Sequence, residues 1–123
     1  MSVVATEEIT KALTALQSLL RGVNAVLLAS SEGRVHGSTL PSGPERLHFS
    51  AISAATLAIA GKGTRDMQLG ELTQVVIRAR SGSIVLLGLG HKAVLSLVLG
   101  DNVAPEPVLE AAKGALSKLE ALI

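Results

Sequence analysis

The stretch from Gly43 to Gly61, GPERLHFSAISAATLAIAG, constrains the fold more than any other part of the chain. It opens like a helix, with Gly43 as N-cap and Pro44 at the first helical position. There the missing N–H costs nothing and the fixed φ already suits the helix. Glu45 falls in the first turn, where a carboxylate favours the helix dipole. Gly61 and Gly63, with Lys62 between them, predict the end. At about 100° per residue, Phe49, Ile52 and Ile59 share one stripe, while Leu47, Ala51, Ala54 and Ala58 share another, roughly opposite. Arg46, Ser50, Ser53 and Leu57 lie between them. From Leu47 to Ala60 the only titratable side chain is His48. A surface helix of a small domain carries one apolar stripe and one charged face, so this helix calls for two apolar neighbours. The bulky stripe suits the chain's own sheet. The alanine stripe suits close approach by another helix from outside the monomer. A helix buried wholly inside one domain is the alternative, and 123 residues leave little room for that three-layer interior.

Composition points the same way. Hydrophobic residues make up 48% and charged residues 17%, an apolar balance that favours self-association. The length suits one domain spanning residues 1–123. A net charge of +1 gives no case for nucleic acid or an anionic membrane. A single Phe, with no Trp or Tyr, leaves no stacking platform or aromatic cage. Without Cys there is no disulfide frame, thiolate metal site or cysteine nucleophile. The opening residues MSVVATEEITK lack a basic-then-apolar signal pattern, and no apolar run approaches the ~18 residues of a membrane span. The expectation is a soluble cytoplasmic protein with no membrane insertion.

The remaining elements follow from periodicity. Thr6 is a candidate cap for a first helix, with Glu7 and Glu8 in its first turn and Ile9, Leu13, Leu16 and Leu20 along one side. Arg21 and Gly22 end it. Asn24–Ser30 is a short apolar strand, Ser31-Glu32-Gly33 a tight turn with Gly33 at positive φ, and Arg34–Ser38 a weak polar strand. After the central helix comes a polar connector, then Glu71–Arg80. In that strand Val75, Ile77 and Ala79 alternate with Gln74, Arg78 and Arg80. Ser81-Gly82 predicts a turn, Ser83–Leu89 an apolar strand, Gly90-His91-Lys92 another turn, and Ala93–Leu99 the last strand. A final helix starts near Pro105 or Pro107. Its inner side holds Val108, Ala111, Ala112, Ala115, Leu116, Leu119 and Leu122.

The order is α-β-β-α-β-β-β-α, an α+β fold. The first, fourth and fifth strands are apolar on both faces, so they belong inside a sheet covered by helices on each side. The second and third carry charges and suit edges. Short turns pair one with two, three with four and four with five, leaving one beside five. The predicted sheet is antiparallel in the order 2-1-5-4-3, with helix 2 on one face and helices 1 and 3 on the other. The third strand is a long edge that invites pairing with another chain. A two-fold dimer is therefore expected, helix 2 on helix 2 and strand 3 on strand 3. Its contacts would be Leu47, Ala51, Ala54, Ala58, Gln74, Val76 and Arg78.

In the order and spacing of these pieces the chain resembles the roadblock/dynein light chain family. The resemblance rests on the leucine-rich first helix, Val23-Asn24-Ala25-Val26-Leu27-Leu28-Ala29 followed by Ser31-Glu32-Gly33, and the alanine-rich second helix. It continues through Leu69-Gly70-Glu71-Leu72-Thr73-Gln74-Val75-Val76-Ile77 and the Leu86–Leu99 hairpin. It covers essentially the whole chain and implies a profilin-like, single-domain, MglB-like member of bacterial or archaeal type. It further implies a homodimer with a merged sheet, and a regulatory role toward a small Ras-like GTPase or a scaffolding role in a motor or signalling assembly.

Chemistry is sparse. His36, His48 and His91 have no second ligand at metal spacing. Gly61-Lys62-Gly63-Thr64 lacks the leading Gly and the strand-to-helix setting of a phosphate loop, and Gly88-Leu89-Gly90 lacks the third Gly of a dinucleotide site. Glu7 and Glu8 point to different sides of a helix. Glu106 and Glu110 read as a dipole device, and no Ser sits in an elbow motif. Arg78 and Arg80 offer either contact with an acidic partner or edge protection. The expectation is a non-enzymatic adaptor with no cofactor and no metal. It would touch a small GTPase through Arg46, His48 and Ser50, and would act by positioning the GTPase's own switch residues or through an arginine finger from Arg46. A scaffold subunit without GTPase contact is the second reading. A small-ligand sensor, which needs a polar-lined pocket, is the third.

Overall fold

The computed structural model describes residues 3–123. The elements run α1 (Val3–Leu19), β1 (Val23–Ser30), β2 (Val35–Ser38), α2 (Pro44–Asp66), β3 (Gln74–Ala79), β4 (Gly82–Leu89), β5 (Ala93–Leu99), α3 (Pro105–Lys113) and α4 (Leu116–Ala121). The strands form one antiparallel sheet in the order β2-β1-β5-β4-β3, as their patterning requires. The doubly apolar strands β1, β4 and β5 lie inside. The charged strands β2 and β3 lie at the edges.

Alternation along the strands divides the interior into two unequal cores. On one face Val26, Leu28, Val85, Leu87, Leu95 and Leu97 meet Ile9 and Leu13 of α1, Val108, Leu109 and Ala112 of α3, and Leu119 of α4. On the other, Leu27, Ala29, Leu86 and Val94 meet Ala54 of α2, with Phe49, Leu57, Val75 and Ile84 packed around them. Helix α2 thus covers its face alone. The stripe Ile9, Leu13, Leu16 and Leu20 is buried throughout, as its spacing predicts.

Element ends differ from expectation at several places. Strand β3 runs only from Gln74 to Ala79, six residues instead of the expected Glu71–Arg80, so it is shorter than β1, β4 and β5. Helix α1 begins at Val3, so Thr6 lies inside it instead of capping it, and Glu7 and Glu8 fall beyond the first turn. Nothing before Thr6 breaks a helix. Helix α2 does not stop at Gly61 or Gly63 but runs to Asp66. Each interior glycine costs only about 1 kcal/mol, and the turn is reinforced by the Lys62–Asp66 ion pair at 2.8 Å and the Thr64 hydroxyl donating to the Gly61 carbonyl. The stop comes at Gln68, in the left-handed region at φ 61. There the N–H of Leu69 bonds to Thr64 O and that of Gln68 to Arg65 O, the paired bonds of a Schellman end. The β3–β4 turn is Arg80-Ser81, one residue earlier than Ser81-Gly82, because Ala79 pairs with Gly82. A Cβ on Gly82 would run into the Leu99 carbonyl. The final helix breaks in two after Lys113. Ala115 N–H bonds three residues back to Ala112 O, and this tight turn re-aims the chain so that Leu119 reaches the large core.

Candidate functional site

The flank of α2 turned to the sheet is built from small residues. Ser50, Ser53, Ala54 and Gly61 are buried, so the helix axis lies close to the strands and bulkier side chains are left on the shoulders. Leu47 and Ile52 are each 60% exposed and Ile59 is 73% exposed. The bulky stripe therefore does not pack wholly on the sheet: Phe49 does, while Ile52 and Ile59 face outward. Part of the alanine stripe is used inside the monomer. Ala54 belongs to the smaller core. At Ala51 the β1–β2 turn abuts the helix backbone, where a Cβ on Gly33 would lie 3.1 Å from Ala51 Cα. Gly33 has φ 90, so both its conformation and this contact favour glycine. The Ser50 hydroxyl fixes the turn there by donating to the Gly33 carbonyl at 2.6 Å.

These placements sort the expected contact residues. Leu47, Ala51 and Ala58 lie on the exposed surface of α2 and Ala54 does not. Ser50 is fully buried and its hydroxyl is engaged by Gly33, so it is not available for partner contact. His48 is exposed. Arg46 is half-buried, and its Nε is enclosed with no hydrogen-bond partner. On β3, Val76 packs against the larger core, Gln74 is half-buried, and Arg78 reaches across to Glu106 of α3 at 2.7 Å. Glu106 thus engages β3, a role beyond that of a dipole device. Ile77, on the α2 side of the same edge, is exposed and apolar. Sequence reasoning missed Ile52, Ile59 and Ile77 as outward groups. The only signal for them was that Ser50 and Ser53, a strip with little apolar volume, could serve as the buried flank.

His36 is half-buried, and burial, with the Arg34 charge next in effect, pushes its pKa below the ordinary value. Among the described residues no three His, Asp or Glu side chains lie close enough to hold a metal ion. No helix among them is long and apolar enough to cross a membrane.

What remains prominent is one apolar helix face lying on the same side of the sheet as the open edge β3. That arrangement, in this topology, invites comparison with known domains. A sequence profile for the Roadblock/LC7 domain matches residues 9–99. The chain belongs to the Roadblock/LC7 family. The match runs from Ile9 in α1 to Leu99 at the end of β5. Beyond the matched span, α3 and α4 close the larger core. A search of curated proteins gives no match. Among solved structures, a Roadblock/LC7 domain from Streptomyces avermitilis superposes with a TM-score of 0.83 at 14% identity, covering 91% of this chain and 94% of that one. The gliding protein MglB from Thermus thermophilus gives 0.83 at 17% identity, with 99% and 93% covered. An MglB described as having a tetrameric arrangement gives 0.83 at 18%, with 99% and 92% covered. At these identities the likeness establishes the Roadblock fold.

Proposed function

We propose that this Roadblock/LC7 domain is a self-associating, non-enzymatic regulatory adaptor for a small Ras-like GTPase. The observation that carries the proposal is the outer face of α2. Leu47, Ile52 and Ile59 are exposed there, with Ala51, Ala55 and Ala58 beside them and no Asp, Glu, Lys or Arg between Leu47 and Lys62. Exposed apolar surface of this kind marks a protein-interaction site. The β3 edge, carrying Ile77, extends it. A second copy pairing through α2 and β3 would join two sheets into one. The tetrameric arrangement of one MglB supports self-association as the use of such a surface. Gln74, Val76 and Arg78 would contribute through the backbone of β3, since their side chains are turned toward the α3 face.

In this reading the GTPase meets the paired helices, with exposed His48 as a polar contact. Any acceleration of hydrolysis works by holding the GTPase's own switch residues in place, with an arginine finger from half-buried Arg46 as the other route. The test is capture on immobilised protein from an extract of its own cells, once with GDP and once with a non-hydrolysable GTP analogue. A small GTPase retained only with the analogue is the expected result. An identical set of proteins under both conditions, with no GTPase among them, would contradict the regulatory reading and favour a scaffold subunit.

A further inference from the structure

A cleft of about 220 Å³ opens between the second half of α2, the approach to β3 and the β4–β5 hairpin. Its apolar walls are Leu57, Ala58, Leu72 and Val94, and Gly61 and Gly88 line it from opposite sides, one on the helix and one on the sheet. Neither glycine is required by the backbone. Neither has positive φ. A Cβ on Gly88 would make ordinary contacts at 3.6 Å with Leu57 Cδ2 and the Gly90 carbonyl. A Cβ on Gly61 would meet only the end of the Arg65 side chain at 3.3 Å and Leu72 Cβ at 3.9 Å. Glycine inside a helix or strand weakens the element, and in a strand it often marks close approach of a ligand. What these two glycines do here is keep the cleft open.

The mouth of the cleft carries both signs of charge. Arg65 Nη1 lies 3.3 Å from where a Gly61 Cβ would stand, which places the guanidinium at the cleft wall beside Gly61. Glu71 stands beside Leu72 on the other wall. The neighbouring Lys62 and Asp66 pair with each other. Among the described residues no ion pair engages Arg65 or Glu71. Ser31 and His91 also line the cleft, so its lining is mixed. A guanidinium and a carboxylate that line one small cleft without neutralising each other, above walls of Leu57, Leu72 and Val94, suit a zwitterion with an apolar body. The volume is below the ~300–1,000 Å³ of pockets for drug-sized ligands, so the occupant is of metabolite size.

We infer that this cleft binds a free aliphatic α-amino acid. Its carboxylate would accept hydrogen bonds from Arg65, its ammonium would donate to Glu71, and its side chain would lie on Leu57, Leu72 and Val94. The cleft shares Ala58 with the proposed self-association face, but its binding does not depend on the GTPase reading.

The experiment is an NMR titration of the isotope-labelled full chain with L-leucine. Two further probes each lack one charge: 4-methylpentanoate and isoamylamine. Saturable shifts confined to Gly61, Leu72, Gly88 and their neighbours are expected with L-leucine. Each single-charge probe should bind about tenfold or more weaker, because a charge-assisted hydrogen bond is lost. R65Q and E71Q should bind about tenfold or more weaker with unchanged melting temperature, since both side chains are exposed. G61A and G88A should melt no lower than the parent chain yet lose the response. Absence of saturable shifts with L-leucine would overturn the inference. So would binding of 4-methylpentanoate as tight as that of L-leucine, or parent-like binding by both glycine variants.

Discussion

Ser50 and Ser96 lie in the layer between α2 and the sheet, both fully buried, and physics assigns them opposite roles. The Ser50 hydroxyl donates to the Gly33 carbonyl at 2.6 Å. Among the described residues Ser96 Oγ has no hydrogen-bond partner. Removing one member of a buried hydrogen bond costs about 1–3 kcal/mol, whereas removing an orphaned hydroxyl relieves a desolvated group. S50A should therefore lower unfolding stability by about 1–3 kcal/mol in a denaturant titration, and S96A should leave it unchanged or raise it. His36 supplies a pH signature. Its pKa is lowered in the folded chain by burial first and Arg34 second, so the unfolded chain binds the proton more readily. Stability from this group is complete above the ordinary histidine pKa and falls as pH drops through the folded value. Melting temperatures measured between pH 7.5 and 5 should decline, and H36Q should flatten that decline. The burial of Ser50 was not legible in the sequence, because a lone hydroxyl on a helix reads as surface until its acceptor, seventeen residues earlier, is placed beside it.

Helix α2 shows which element boundaries local chemistry can mark. Gly61-Lys62-Gly63 looks like a stop, yet the left-handed residue that ends the helix is Gln68. A non-glycine side chain costs about 1–2 kcal/mol in a left-handed helical conformation, so glycine should be preferred at this position. Q68G is expected to raise stability by up to about 1 kcal/mol, read from the midpoint of thermal or denaturant unfolding. The strands were legible for the converse reason. Doubly apolar β1, β4 and β5 can be satisfied only between two helical layers, and their short turns admit few pairings. The break in the final helix escaped because Gly114 keeps ordinary right-handed angles. What divides α3 from α4 is the packing of Leu119, a tertiary effect with no local marker.

At the scale of the molecule, the sheet order and the allocation of helices to faces follow from pattern alone, while the orientation of α2 about its own axis does not. An apolar stripe on each side leaves two rotations of similar promise. The small flank Ser50, Ser53 and Ala54 decides between them by allowing the closer approach to the sheet. By pattern the alanine stripe reads as the seam, but Ala54 lies in the core, so an acidic residue there would unfold the chain and say nothing about association. The surface open to a second copy is Leu47, Ile52 and Ile59 with the β3 edge. Replacing Ile52 and Ile59 together by Glu puts two charges on the proposed contact without touching the core, and should dissociate the assembly while preserving the folded circular dichroism spectrum. The central claim is that this face joins two copies, and the most direct measurement is the molar mass of the parent chain in solution by sedimentation equilibrium. A mass twice the 12.6 kDa of one chain, or a higher multiple, falling to 12.6 kDa in the double variant, is the result expected. A parent chain that stays at 12.6 kDa across the micromolar range would contradict the claim.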